Sequence, residues 1–319
     1  MAVYLSSEEA DRERSRIALS SNGVWGLRPQ LFLFLLSFRP LGREESRKSK
    51  RCGVADPTPR YLTALFLLLL PLPTHAASVM DGTKPWPNAT VTYRFAPELL
   101  KAVGSTQKDC TGWSAWRTAS TAFKACKAMD AWHWTTGITF RADNRLDSLN
   151  IVPGTGTSAT LGHLPAGNTM HIEAGVTYGS VLHEFGHVLG LMHEHQRPDR
   201  NDYLALEPFL QTYLDTCGLK LTTVCLDVRN AFPVVKVQMS TGYDPCSLMH
   251  YLANQTPRHR EDPRWSRIFT LTAKGQAALD TCLPQFANRE ARCRKIGQKC
   301  AISSSDAALV RRFHHIEKD

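Results

Sequence analysis

Hydrophobic and polar positions change period several times along this chain, and each change marks an element. Between Ser114 and Trp134, Trp116, Ala119, Phe123, Cys126 and Met129 recur every three or four residues, which places them on one face of a helix. Trp86 to Phe95 instead sets a tryptophan ahead of alternating apolar positions, as a strand does. Ile138–Phe140, Leu149–Val152 and Thr169–Glu173 read as further strands separated by polar turn residues. The stretch from Gly154 to Gly167 is loop-rich, and its glycines lack the context of a phosphate loop. Thr177 or a neighbour then caps a helix running through residues 183–190. The pattern weakens between Tyr203 and Tyr243. Beyond it, Thr270–Asp280 and Ser303–His315 read as helices, the second with Ser303 as cap and Asp306 three residues on, as in a short capping box.

Residues 1–59 show no sustained period. A basic residue, Arg60, then precedes the apolar run Leu62–Leu70, with Pro71, Pro73 and the small residues Ala76 and Ala77 following. That is the plan of a secretory leader, with residues 1–76 as extension and signal, an apolar core over 61–73 and cleavage after Ala76. The run is short for a bilayer span, so the expected product is secreted, extracellular or periplasmic, without stable membrane association after cleavage. The alternative is a membrane-anchored form with a cytoplasmic arm. The length of mixed sequence ahead of the apolar core also suggests a later start, with Val54 as a candidate.

Charge narrows the partners. The chain carries +9; eleven cations against seven anions fall in residues 1–77, leaving about +5 for the rest. No basic run interleaved with aromatics occurs in the main body, so nucleic acid is not an expected partner. Of nine cysteines, Cys52 lies in the segment expected to be removed. An even remainder behind a leader predicts up to four disulfides, with Cys217–Cys225 and one pair within Cys282, Cys293 and Cys300 as expected bridges.

The chemistry concentrates in His183-Glu184-Phe185-Gly186-His187-Val188-Leu189-Gly190-Leu191-Met192-His193. On a helix His183 and His187 stand one turn apart on the same face, and Glu184 points to the open side of a metal that both would hold. Gly190 lets the chain turn at positive φ so that His193 joins them. Three neutral imidazoles with a fourth position open describe a catalytic zinc rather than a structural one, and hydrolysis is its natural chemistry. Glu184 is then the expected general base.

This stretch, continued by Glu194, Arg197, Asp199 and Arg200, resembles the signature of the astacin family of zinc endopeptidases. A distant segment, Ser247-Leu248-Met249-His250-Tyr251, resembles that family's Met-turn. The resemblance implies one zinc ion on His183, His187 and His193, Met249 as a floor beneath it, and Tyr251 as a displaceable ligand that stabilises the oxyanion. His195 and His250 are not expected to bind metal. It also implies an α+β, two-lobed, metzincin-like fold over 77–319. Its N-terminal lobe (77–193) would carry a twisted, mostly parallel sheet with two long helices, and its C-terminal lobe (194–319) would be largely irregular with a terminal helix. Trp86–Phe95 would be the first strand and Thr169–Glu173 the upper edge strand, against which a protein or peptide substrate lies extended. The new amino terminus at Ala77 would be buried near Glu194. The family's usual cysteines are missing here, so any bridges are this branch's own.

Overall fold

The computed structural model describes residues 77–102, 109–116, 119–218, 220, 222–240, 242–253 and 262–317. The expected leader over 1–76, with its apolar core and Cys52, lies outside them.

A five-stranded sheet forms the frame. β2 (Thr90–Phe95), β3 (Thr139–Ala142), β4 (Leu149–Gly154), β5 (Ser158–Ala159) and β6 (Asn168–Glu173) lie in the order β3-β2-β4-β6-β5. All neighbours are parallel except β5, which runs against β6 with Ser158 opposite His171 and Ala159 opposite Met170. The rim is therefore β5, and the expected edge strand, Thr169–Glu173, sits one place inward. Two residues are too short for a sequence pattern, which is why Ser158 and Ala159 read as loop.

Parallel neighbours need a crossover. After α1 (Pro97–Lys101), the chain crosses from β2 to β3 through α2 (Thr121–Thr136). The apolar spacing that begins at Ser114 overstates this helix, because Ser120 caps it by accepting from Phe123 N, and Trp113–Ala115 form a separate single turn. Cys126, Met129 and Trp132 are buried on its inner face. The Trp132 indole donates to Leu182 O at 3.0 Å, joining α2 to α3 (Tyr178–Val188). The Trp86 indole likewise donates to Val188 O at 2.8 Å, so the turn before β2 is tied to the end of α3.

Residues 194–317 contain more regular structure than expected. α4 (Pro208–Thr216) and α5 (Thr223–Ala231) pack in a second apolar cluster with Phe232, Tyr243 and Trp265, where the sequence pattern was weak. β7 (Leu204–Leu206) pairs antiparallel with β9 (Phe269–Leu271). β9 takes the first residues of the expected Thr270–Asp280 helix; Thr272 then caps α6 (Ala273–Cys282) by accepting from Gly275 N. The terminal helix α7 (Ser304–Phe313) begins with the expected capping box between Ser303 and Asp306, and Leu309, Val310 and Phe313 enter the same core as the sheet.

β1 (Ser78–Met80) pairs antiparallel with β8 (Val237–Ser240), so the first described residues are structural. Ala77, Ser78 and Val79 are at most 1% exposed. Four disulfides occur among the described residues: Cys110–Cys126, Cys217–Cys225, Cys246–Cys282 and Cys293–Cys300. The expected Cys217–Cys225 bridge is present, and the expected pair within the last trio is Cys293–Cys300. Cys246 takes Cys282, and Cys110 takes Cys126. Among the described residues, a second group of metal-ligand types, Asp244 with Cys246 and Cys282, has both sulfurs consumed by that bridge.

Candidate metal centre

Helix α3 begins at Thr177, whose Oγ1 accepts from Ser180 N at 3.2 Å, and it carries His183 and His187 one turn apart. It ends at Val188. Gly190 then adopts φ 95°, and the Phe313 ring lies where a β-carbon would stand, 2.6 Å away. Both the backbone angle and the space exclude a side chain there. The returning chain is held from outside: Leu191 bridges to Val79 and Met192 N donates to Ser78 O at 2.9 Å. β1 thus fixes the loop that delivers His193.

The Nε2 atom of His193 lies 3.2 Å from that of His183 and 3.1 Å from that of His187. Each ring's other nitrogen faces an oxygen: His183 Nδ1 donates to Leu248 O at 2.8 Å, His187 Nδ1 to Leu191 O at 2.8 Å, and His193 Nδ1 to Gln196 Oε1 at 3.2 Å. With the protons committed to Nδ1, three Nε2 lone pairs converge with no hydrogen between them, an arrangement that a cation relieves. Zinc–nitrogen distances of about 2.0–2.1 Å in a tetrahedron give an N···N edge of about 3.3 Å, close to the spacing found here. Burial keeps the rings neutral, pushing His187 down to about 4 and His183 and His193 well below the usual histidine range. The donor set fits zinc.

Around it stand the other residues singled out in the sequence. Glu184 is buried, and that burial pushes its carboxyl up to about 7 against the pull of Lys299. The Tyr251 ring lies 4.6 Å from that of His193 and 3.9 Å from that of His195, tilted 30° to the latter. Met249 is buried with its sulfur against Gly186, between the two helical histidines. His195 donates from Nε2 to Ala231 O at 2.7 Å. His250 donates from Nδ1 to Tyr251 O at 2.7 Å and accepts from the Tyr243 hydroxyl at 2.6 Å. Neither ring joins the convergent set.

Glu194 ties the third histidine to the Met-turn: its amide donates to Met249 O at 3.1 Å and its carboxylate accepts from Asp244 N at 2.9 Å. Burial pushes this carboxyl up to about 8, while Arg197, 3.5 Å away, pulls it down. Arg197 also forks onto Asp199 and donates to Ala77 O at 3.0 Å. The signature residues after the histidines are therefore a brace between the metal loop, the Met-turn and the first described residue.

A cleft opens onto the three imidazoles. Its rim is Thr157, Ser158 and Ala159, and its other wall is Tyr251 and Lys299. Four further residues contribute that local sequence does not mark for this role. Leu248 O and Gln196 orient the imidazoles of His183 and His193 through a carbonyl and an amide that no spacing rule marks. Asp306, read only as a capping residue, also accepts from Ser247 Oγ at 2.6 Å and Leu248 N at 2.8 Å, so α7 holds the Met-turn. Lys299 enters from a loop far along the chain and leaves no local signal.

Compared with known proteins, residues 116–315 match the sequence profile of Astacin, a peptidase family. The chain belongs to the astacin family. Members of the astacin family are zinc metalloendopeptidases. Among its relatives, "Bone morphogenetic protein 1" of Xenopus laevis is 32% identical over 138 residues, covering 43% of this chain and 16% of that protein. "Zinc metalloproteinase dpy-31" of Brugia malayi is 29% identical over 189 residues, covering 57% of this chain and 27% of that protein. The chain thus spans about a quarter or less of the length of these two relatives. A solved structure of high choriolytic enzyme 1, a hatching enzyme zinc-protease from Oryzias latipes, aligns with 74% of this chain and 94% of its own, at 20% identity and a TM-score of 0.49. Both motif segments of the sequence, His183–Arg200 and Ser247–Tyr251, fall inside the astacin match.

Proposed function

We propose that this astacin-family chain is a secreted zinc endopeptidase. The observation that carries the reading is the convergence of three imidazole nitrogens, each with its outer proton committed, beside the buried carboxyl of Glu184. His183, His187 and His193 would hold one zinc ion. When bound, zinc supplies Lewis acidity at the face that the imidazoles leave open.

The chain's own groups do the rest. Glu184, with a carboxyl near neutrality, takes a proton from water as the peptide carbonyl is attacked and passes it to the departing amine. The Tyr251 hydroxyl donates a hydrogen bond to the carbonyl oxygen as negative charge develops there. Contact with the His195 ring limits where that phenol swings. A polypeptide substrate lies extended in the cleft, pairing its backbone with the rim strand β5 rather than with β6.

Export agrees with the four disulfides, and no described helix is long and apolar enough to cross a membrane. Maturation follows from the surroundings of Ala77. Its carbonyl is held by Arg197, which faces Glu194, one oxygen of Glu194 is buried without a hydrogen-bond partner, and Asp244 adds a second buried carboxyl beside it. An ammonium created at Ala77 by cleavage after Ala76 supplies a cation for that acidic pocket. Amino-terminal sequencing of the exported protein is expected to begin at Ala77; a start upstream, with residues 70–76 retained on active material, refutes this.

Chelation tests the metal. Casein cleavage is expected to stop with 1,10-phenanthroline and to return on dialysis with one equivalent of zinc. Undiminished cleavage by material shown to be metal-free sinks the reading.

A further inference from the structure

The charge left over outside residues 1–77 is not spread evenly. Thirteen residues, 288–300, hold Arg289, Arg292, Arg294, Lys295 and Lys299 against the single acid Glu290, and so account for +4 of the roughly +5 carried outside residues 1–77. Glu290 is spent on Arg292, at 2.7 Å. Arg289, Lys295 and Lys299 form no ion pair among the described residues, and Arg289 and Lys295 are exposed. Like charges crowded this way repel one another, and a ligand of opposite sign removes that cost.

The loop is built rather than loose. Cys293–Cys300 closes it, and Gln298 Nε2 donates to Cys246 O at 2.9 Å. At Gly179 in the first turn of α3, a β-carbon would fall 1.8 Å from Lys299 O, so only glycine lets the loop lie on the helix. At Gly297 a β-carbon would fall 2.5 Å from the carbonyl of Tyr251. Between loop and helix is a concavity of about 530 Å³ lined by Arg289, Arg292, Lys295 and Lys299 together with the start of α3. The helix start adds positive potential of its own.

Lys299 lines both this concavity and the cleft that holds the three imidazoles. A chain leaving that cleft past Lys299 runs directly onto the basic surface. We propose that the 288–300 loop is a docking site for an acidic stretch of the polypeptide substrate, several residues removed from the cleaved bond. The continuity with the cleft favours a polypeptide over a free polyanion. The inference rests on the endopeptidase reading for what lies in the cleft, and the test separates the two.

The probe is a pair of fluorescent peptides sharing one cleavable core, each with a tail of four glutamates or four glutamines, made in versions with the tail before or after the core. Zinc-loaded full-length Glu184→Gln protein reports binding, and the unsubstituted enzyme reports cleavage. Arg289→Gln with Lys295→Gln, both exposed, removes two of the unpaired cations. For one tail position, the glutamate peptide is expected to bind the Glu184→Gln protein about 5-fold more weakly once both cations are gone, and its KM to rise by a similar factor with kcat unchanged. Glutamine peptides are expected to be unaffected, and the salt dependence of glutamate-peptide binding to shrink. Equal binding of both tails to Glu184→Gln protein, or no change on removing the cations, overturns the proposal. So does loss of heparin-fragment binding in the doubly substituted protein with glutamate-peptide binding intact, which reassigns the surface to a glycan. Tail-dependent binding without any cleavage defeats the endopeptidase reading alone; cleavage without tail preference defeats the docking site alone.

Discussion

Glu184→Ala is expected to lower casein turnover by a factor on the order of 10³–10⁴ while the protein still binds one zinc per chain. The separation follows from the geometry. Each imidazole is oriented by an outer acceptor, Leu248 O, Leu191 O or Gln196, and none of these involves Glu184. Removing the carboxylate therefore leaves the donor set as it was and takes away the group proposed to carry the proton. Glu184 is also buried, so the alanine leaves a small space and removes the negative charge that acts on Lys299. Elemental analysis beside the rate measurement decides the matter: if the variant purifies without zinc, Glu184 supports the centre instead of acting in the reaction.

The second large effect lies at a buried residue that does not line the cleft. Asp306→Ala is expected to destabilise the fold by about 3 kcal/mol, because it strands three buried donors at once. Those donors are Ser247 Oγ at 2.6 Å, Leu248 N at 2.8 Å and Ser303 N at 3.3 Å. The same residue positions Leu248, whose carbonyl receives the His183 proton, so zinc affinity should fall together with the melting temperature. Asp306→Asn keeps one acceptor and is expected to recover about half of the loss. Thermal melts with and without zinc measure both effects. An alanine variant that melts like the parent would show that the carboxylate is not what joins α7 to the Met-turn.

What the sequence disclosed and what it hid follow one division. Features whose partners are neighbours in the chain were legible: the one-turn spacing of His183 and His187, the positive φ of Gly190, the Thr177 cap, and the Ser303–Asp306 box. Features whose partners arrive from elsewhere were not. Asp306 satisfies its local motif and then reaches residues nearly sixty positions away. β5 has two residues and exists only because β6 offers it an edge. α4 and α5 bury little beyond Leu210 and Val228 and take their order from the cluster around Trp265, so their own pattern is faint. The start of α2 was misplaced because Trp113 and Trp116 pack against the core from a separate turn and mimic the helical spacing.

Only one of the three outer acceptors that set the histidine protons travels with residues 183–193. Leu191 lies within that stretch; Leu248 and Gln196 do not. Transplanted onto an unrelated helix, these eleven residues would still chelate a metal, but two of the rings would be free to choose the wrong tautomer and to spin about their bonds. The motif is portable as text and not as a catalyst.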